Sequence, residues 1–170
     1  MTVEIRREVP ADCDAIRDVN DRAFGQAEES RIVDAARAAG RVTVSLVAAD
    51  GDAIVGHILF TPLTVETAAP QFTAAALGPM AVVPARQRQG IGSSLVRAGI
   101  AECRRLGIDA VAVVGHPEFY PRFGFRKGSE YGLRCPFDVP DEVFMVAELR
   151  PGAIAGTSGV VQYIPEFGGV

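Results

Sequence analysis

The positions of apolar and polar residues along the chain predict a series of strands and helices. Strands are predicted where apolar residues form short runs or alternate with polar ones, and helices where they recur every three or four positions. The predicted strands span 3–7, 42–49, 53–60, 77–83, 110–114 and 143–149. The predicted helices begin at Pro10 or span 28–39 and 93–106, and a turn or short helix covers 117–122.

The order of these segments predicts one α/β domain, 1–170, built on a mixed sheet. Asp50-Gly51 joins two predicted strands and is a strong hairpin signal. The apolar run 110–114 follows a helix, so we expect it to lie parallel to 77–83 through a right-handed crossover.

Two stretches are less regular. Residues 64–72 fit either a strand extension or a loop. The core is expected over about 1–150, and the glycine-rich segment 151–170 is expected to be a C-terminal tail that packs on it. A chain of 170 residues is long enough to bury such a core.

The segment Gln87–Gly92, between a predicted strand and a predicted helix, has the composition of an anion site. The first turn of a helix presents free N–H groups and a partial positive charge. Gly90 and Gly92 lack side chains that would keep a phosphate away from the backbone, and Arg86 and Arg88 add guanidinium donors. A tight turn before an amphipathic helix would also explain the two glycines.

The loop matches neither of two common phosphate-binding motifs. A P-loop needs a lysine after its second glycine, and the only lysine of this chain is Lys127. A dinucleotide-binding fingerprint needs a third small residue three positions after Gly92, where Leu95 stands. A different phosphate-bearing ligand is therefore indicated.

Gly78-Pro79 interrupts the strand before this loop and indicates a sheet edge or a bulge. A bulge would leave backbone groups of Met80, Ala81 and Val82 unpaired, and such groups can bind an amide-bearing ligand as an added strand would. A phosphate loop beside free strand backbone suits a ligand with a pyrophosphate and a peptide-like arm. Coenzyme A is such a ligand.

Two motifs resemble those of the GCN5-related N-acetyltransferases (GNAT). Met80–Pro84 followed by Gln87-x-x-Gly90-x-Gly92 is similar to the acetyl-CoA motif of this superfamily. Further along, Phe119–Phe125 (Phe-Tyr-Pro-Arg-Phe-Gly-Phe) resembles its Tyr-x-x-x-Gly-Phe motif. The second motif is most similar to a bacterial branch often called YhbS-like.

The resemblance implies the GNAT fold, in which the bulged central strand splays away from its parallel neighbour. It also implies transfer of an acetyl group from acetyl-CoA, as co-substrate and without a metal, to a primary amine that attacks directly in a ternary complex. The N–H of Val82 would then stabilise the oxyanion. The residues implied to bind the coenzyme are Met80, Ala81, Val82, Arg88, Gln89, Gly90, Ile91, Gly92 and Ser93.

Tyr120 occupies the position that in this superfamily often protonates the departing sulfur. A phenol is a suitable acid for a thiolate, but an aromatic ring packed under the following turn would also explain this residue. The general base stays open among Glu28, Glu29, His116 and a water molecule. His57, inside a predicted strand, is expected to be structural or to line a pocket.

Composition narrows the partners and the location. The net charge of −4 argues against nucleic-acid binding and mildly favours a cationic acceptor such as an amine. No apolar run reaches the length of a membrane span and the first residues lack a secretory signal, so we expect a cytoplasmic protein without membrane contact. Three scattered cysteines form no metal-binding or disulfide pattern.

The acceptor, the assembly state and the function class stay open at this point. A small amine, an aminoglycoside-like drug, an amino acid and a protein N-terminus remain candidate acceptors, and a homodimer remains a candidate assembly. A non-catalytic coenzyme-A-binding sensor or interaction module also fits. Many members of the superfamily use a glutamate near the bulged strand as the general base, and 77–83 contains none. A regulator that binds a mononucleotide in the same loop is a third candidate.

Overall fold

A computed structural model describes residues 2–66 and 71–168, and within these ranges the fold is a mixed α/β sheet with helices on both faces. The strands are β1 (Glu4–Arg7), β2 (Val44–Asp50), β3 (Ala53–Val65), β4 (Ala74–Val82), β5 (Ala110–Val114), β6 (Arg126–Lys127), β7 (Leu133–Arg134), β8 (Phe144–Glu148) and β9 (Gly159–Gln162). The α-helices are α1 (Cys13–Phe24), α2 (Glu28–Ala38) and α3 (Ile91–Arg105).

The main sheet has the strand order β1-β2-β3-β4-β5-β8-β6. Neighbouring strands are antiparallel except β4 and β5, which are parallel and are connected through α3. The predicted mixed sheet and the predicted parallel crossover are therefore confirmed. β9 pairs with the end of β3 and with β7, so the segment after residue 150 is tied to the sheet.

Alternate residues of the central strands face different helices. Val47 and Leu59 are buried with α1 and α2 on one face, whereas Leu46 and Phe60 are buried with α3 on the other. Gly99 of α3 lies against the Phe60 ring, and a methyl group at this position would overlap the ring. The absence of a side chain there lets α3 approach the sheet closely, which positions the helix N-terminus beside β4.

The predicted bulge is present at Gly78-Pro79, whose peptide bond is cis. The pairing of β3 with β4 shifts register there, from Ile58 opposite Met80 to Phe60 opposite Leu77. Pairing of β4 with β5 ends at Leu77. Beyond this point the two parallel strands separate, as the GNAT resemblance implied.

The hydrogen-bonding pattern shows which backbone groups face the gap between β4 and β5. Val83 donates its N–H to the Val55 carbonyl on β3 at 3.0 Å. Because residues along an antiparallel strand alternate between facing their partner and facing away, the N–H of Val82 points away from β3 and into the gap. The backbone of Met80 also faces the gap, whereas the N–H and carbonyl of Ala81 face β3, where its register partner is His57.

The structure differs from the sequence-based boundaries in several places. α3 begins at Ile91 rather than at residue 93, and Pro10–Asp12 forms a 3₁₀ turn that precedes α1 instead of its first turn. β3 continues to Val65, so the start of the open segment 64–72 is strand, and residues 67–70 of it lie outside the described residues. The short strands β6, β7 and β9 were not predicted.

His57 is structural, as expected. It lies on β3 in a buried polar network with residues of β2 and α1. Its Nε2 is 2.9 Å from the Ser45 hydroxyl and its Nδ1 is 3.3 Å from the Asn20 amide nitrogen. Glu8 lies 4.0 Å from the ring and forms a bidentate ion pair with Arg37. Burial lowers the pKa of His57 from 6.5 to about 4; Glu8 opposes this shift and Arg37 adds to it.

We therefore expect acid to destabilise the fold through His57. The unfolded chain takes up this proton near pH 6.5 and the folded protein only near pH 4, so the free energy of unfolding falls across this window, by about 2 kcal/mol at pH 5. Urea unfolding at pH 7 and pH 5 should show a smaller loss for His57→Gln than for the wild type. His116→Gln, at an exposed histidine, is the control. An unchanged pH dependence in His57→Gln would contradict this account.

Three further features concern metal binding, membrane crossing and the buried cysteine. Within residues 2–66 and 71–168, no three or more His, Cys, Asp and Glu side chains are grouped so that they could hold a metal ion. In the same residues, no helix is both long and apolar enough to cross a bilayer. Cys103 is buried in the core as predicted, and burial raises the pKa of its thiol to about 12.

Candidate active site

A cleft of about 660 Å³ lies between the N-terminus of α3 and the open edge of β4. The outward-facing residues Met80 and Val82 form its strand side, and the loop before α3 forms its other side. Six of the residues predicted to bind the coenzyme line this cleft: Met80, Val82, Arg88, Gly90, Gly92 and Ser93.

The loop before α3 has the backbone of an anion site. Gly90 caps the helix with a φ of 85°, in the left-handed region that favours glycine, and Arg88 also has a positive φ, of 63°. Because the helical hydrogen bonds begin with Ser94 N–H to Gly90 O, the N–H groups of the preceding first-turn residues have no acceptor within the helix. These donors and the helix dipole favour a phosphate here.

Three other residues predicted to bind the coenzyme do not line the cleft. The side chains of Ala81 and Ile91 are buried in the core. The Gln89 side chain bonds instead to Arg86 at 3.2 Å and to the Ala85 carbonyl at 3.4 Å. Any contact of Ile91 with a ligand would therefore be made by its backbone.

The arginines around the cleft have different partners. Arg86 forms an ion pair with Asp50 at 2.8 Å, so part of its charge is already compensated. Arg122 lies over the Phe119 ring at 4.9 Å from the ring centre. Within the described part of the chain, Arg88 forms no ion pair, and its guanidinium is therefore the cation on the loop that a phosphate can use.

A second cavity, of about 480 Å³, lies on the opposite side of the gap between β4 and β5. Met80 and His116 line both this cavity and the cleft, so the two spaces meet at the bulged strand. Tyr120 and Glu29 line the second cavity but not the cleft. The candidate acid and two of the candidate bases, from separate parts of the chain, are thus brought around one space.

Tyr120 is held in a cage of aromatic rings. Its own ring makes edge-to-face contacts with Phe119 and Phe125 at centroid distances of 4.9 and 5.5 Å. Gly115 lies against the ring, because a side chain at that position would overlap it. Burial raises the pKa of Tyr120 to about 12, so the phenol is protonated at neutral pH and is a weaker acid than an exposed tyrosine.

The candidate bases differ in where their side chains lie. Glu29 is half-buried and its carboxylate accepts hydrogen bonds from the Gln26 amide at 3.1 and 3.2 Å. Glu28 is exposed and lines neither space, whereas His116 is exposed at the junction of the two. Glu29 and His116 therefore remain as the candidate bases that line the second cavity.

Several lining residues were not singled out from the sequence. Gln87 lines the cleft and its side-chain amide donates to the Val82 carbonyl at 3.0 Å. Glu118 and Phe119 line it from the segment after β5. In the second cavity the additional aromatic residues are Phe24, Phe137, Tyr163 and Phe167. These four come from three distant segments, so no local motif pointed to them.

A family model described as an acetyltransferase (GNAT) domain matches residues 4–128 of this chain. The chain belongs to the GNAT family. The match contains the bulged strand, the loop before α3 and Tyr120, and it ends before the residues that bring Phe137, Tyr163 and Phe167 to the second cavity. The GNAT assignment suggested by the two motifs is thus confirmed.

Two curated GNAT relatives from Escherichia coli K12 are similar in sequence. The uncharacterized N-acetyltransferase YhbS is 32% identical over 164 residues, which are 96% of this chain and 97% of the relative. The uncharacterized N-acetyltransferase YjhQ is 36% identical over 135 residues, or 78% of this chain and 75% of the relative. The similarity to the YhbS-like branch therefore extends over almost the whole chain.

Two solved GNAT structures share the fold. Escherichia coli YhbS in complex with CoA superposes with a TM-score of 0.91 at 31% identity, and the match covers 97% of this chain and 91% of that chain. A GNAT acetyltransferase from Brucella melitensis in complex with acetyl-CoA gives a TM-score of 0.81 at 34% identity, with 98% of each chain covered.

Proposed function

We propose that this protein is an acetyl-CoA-dependent N-acetyltransferase that transfers an acetyl group to a primary amine. The observation that carries the proposal is that a phosphate-binding cleft and a second cavity meet at the open edge of β4, at Met80 and His116. A two-substrate transfer needs such an arrangement, since each substrate enters from its own side and the reacting atoms meet at the junction.

Three observations support coenzyme A as the ligand of the cleft. The free N–H groups at the start of α3 and the Arg88 guanidinium would hold the pyrophosphate. The outward backbone of Met80 and the carbonyl of Val82 would pair with the amides of pantetheine as an added strand, which leaves the N–H of Val82 for the reacting carbonyl. Escherichia coli YhbS and the Brucella melitensis protein, both similar over nearly their whole length, were crystallised with CoA and acetyl-CoA respectively.

In this proposal the amine nitrogen attacks the thioester carbonyl, a C–N bond forms, and the C–S bond breaks. The N–H of Val82, which faces the gap, stabilises the oxyanion. Tyr120 donates its proton to the departing thiolate. Glu29, His116 or a water molecule takes the proton that the amine loses. The products are an N-acetylated amine and free coenzyme A.

Binding and turnover together test this function. We expect acetyl-CoA to bind with a micromolar dissociation constant, about −8 kcal/mol, in calorimetry. Release of free thiol in the presence of a panel of amines should exceed the release without amine. Binding without transfer to any amine would favour a coenzyme-A sensor, and stronger binding of ATP than of acetyl-CoA would favour a nucleotide-binding regulator.

Arg88→Ala should weaken coenzyme A about tenfold, because one ion pair with phosphate is lost. It should leave the affinity for pantetheine, which carries no phosphate, nearly unchanged, and it should flatten the salt dependence of coenzyme A binding. Calorimetry with both ligands at two salt concentrations measures this. Arg104→Ala, at an exposed arginine near the other end of α3, is the control. Equal weakening of both ligands would contradict a role at the phosphates.

A further inference from the structure

The second cavity, here called the acceptor cavity, has an aromatic wall. Phe137, Tyr163 and Phe167 pack in a row along one side of it, the first pair of rings tilted at a centroid distance of 4.9 Å and the second edge-to-face at 5.2 Å. Tyr120 and the partly exposed Phe24 line it elsewhere. Its volume of about 480 Å³ falls within the range of small-molecule sites, about 300–1,000 Å³. A flat apolar group would fill such a space.

The charge in the acceptor cavity has one sign. Glu29 is the only carboxylate among the described residues that line it, and none of those lining residues is lysine or arginine. Glu29 uses Gln26 as a hydrogen-bond donor and forms no ion pair with any residue in the described ranges. An ammonium group would therefore find a partner in the cavity, whereas a carboxylate would lose its hydration without one.

From this wall and this charge we propose that the acceptor is a small primary amine that carries one aromatic or similarly flat apolar group and no carboxylate. The inference rests on the proposed N-acetyltransferase function and names its substrate class. The ring packs against Phe137 and Tyr163, and Glu29 attracts the ammonium group. The nitrogen then lies on the side of the cavity that Met80 and His116 share with the cleft.

The same features disfavour an amino acid and an aminoglycoside as the acceptor. An amino acid brings a carboxylate that needs a cation, which the lining residues do not supply. A polyamine or an aminoglycoside brings several positive charges, and the cavity offers one carboxylate for them. A hydrophilic amine without a ring would leave the aromatic wall in contact with water.

The aromatic wall lies outside the part of the chain that the family model matches, residues 4–128. β9, which pairs with β3 and β7, and an ion pair of 2.7 Å between Arg41 and Glu166 hold the segment that carries Tyr163 and Phe167. Selectivity for the ring of the acceptor therefore resides in a segment that the coenzyme site does not use.

Three probe amines separate the contributions of ring and charge. 2-Phenylethylamine has the ring and the amine, L-phenylalanine adds a carboxylate, and ethanolamine lacks the ring. We expect 2-phenylethylamine to be acetylated with a kcat/KM at least tenfold above that of either other probe. We also expect it to bind the CoA-saturated protein in calorimetry at least tenfold more tightly than they do.

Matched variants assign these preferences to residues. Glu29→Gln should weaken binding of 2-phenylethylamine about tenfold, with the affinity for acetyl-CoA unchanged. Glu28→Gln, the neighbouring glutamate outside the cavity, should bind the amine like the wild type. Phe137→Ala should weaken 2-phenylethylamine severalfold and leave ethanolamine unaffected, which a general loss of folding would not do.

Acetylation rates and amine binding together distinguish failure of this inference from failure of the proposed function. Acetylation of ethanolamine or L-phenylalanine as fast as 2-phenylethylamine would overturn the inference and support the transferase. An equal effect of Glu29→Gln and Glu28→Gln would also overturn it. Tight binding of 2-phenylethylamine without acetylation would keep the ligand class and overturn the transferase.

Discussion

Gly92→Val is expected to reduce the affinity for acetyl-CoA by more than 100-fold while the fold survives. Gly92 lies in the first turn of α3 and faces the cleft, so the branched side chain would occupy the space in which a phosphate approaches the backbone N–H groups. A Cβ atom there would lie 3.5 Å from Met80 and 3.9 Å from Phe119, which are ordinary contact distances. Valine is also no worse than glycine inside a helix.

Calorimetry with acetyl-CoA, beside a thermal unfolding curve, checks this result. Ser94→Val is the matched control, because it places the same side chain in the same helical turn at an exposed position outside the cleft. Gly90→Val should also abolish binding, but its positive φ would strain a branched residue, so it is the weaker test. A folded Gly92→Val protein that binds acetyl-CoA normally would remove the proposed phosphate site.

Tyr120→Phe is expected to lower kcat at least tenfold and to leave the affinity for acetyl-CoA nearly unchanged. The change removes the proposed proton donor for the departing thiolate, and general acid catalysis typically contributes about 10²- to 10⁴-fold. The edge-to-face contacts with Phe119 and Phe125 involve only the ring, which phenylalanine retains. The hydroxyl also has no hydrogen-bond partner in the described part of the chain, so little packing energy should be lost.

Steady-state kinetics with an accepted amine, under conditions in which chemistry is rate-limiting, measures the effect. Tyr131→Phe removes a phenol that lines neither the cleft nor the acceptor cavity and serves as the control. Full kcat in Tyr120→Phe would mean that water or another group protonates the thiolate. A fall in melting temperature with kcat preserved would make Tyr120 a packing residue.

The features of the fold that follow from local signals were predictable. Asp50-Gly51 gave the hairpin, the helical periodicity gave α2 and α3, and Gly78-Pro79 gave the bulge. β6, β7 and β9 are two to four residues long and are defined by pairing with distant strands, so their own residues carry little signal. The start of α3 was placed late because the cap depends on the backbone conformation of Gly90.

The cleft and the acceptor cavity also differ in how far the sequence predicts them. The cleft is formed mainly by contiguous residues around 80–93, and its chemistry could be inferred from the motif. The outward orientation of Met80 and Val82, as opposed to Ala81, depends on register with β3 and needed the structure. The acceptor cavity combines α1, α2, the splayed strands and the C-terminal segment, so only its candidate acids and bases could be named in advance.

The placement of the aromatic wall has an evolutionary consequence. The loop at 87–92 and the wall residues after 128 occupy separate stretches of the chain. On the proposed function, mutations in the later stretch would change the preference for the ring of the acceptor without a loss of coenzyme affinity. This preference should accordingly diverge within the last forty or so residues, while the coenzyme loop is inherited intact. Exchange of this stretch between homologues should transfer the preference for the acceptor's ring together with the wall.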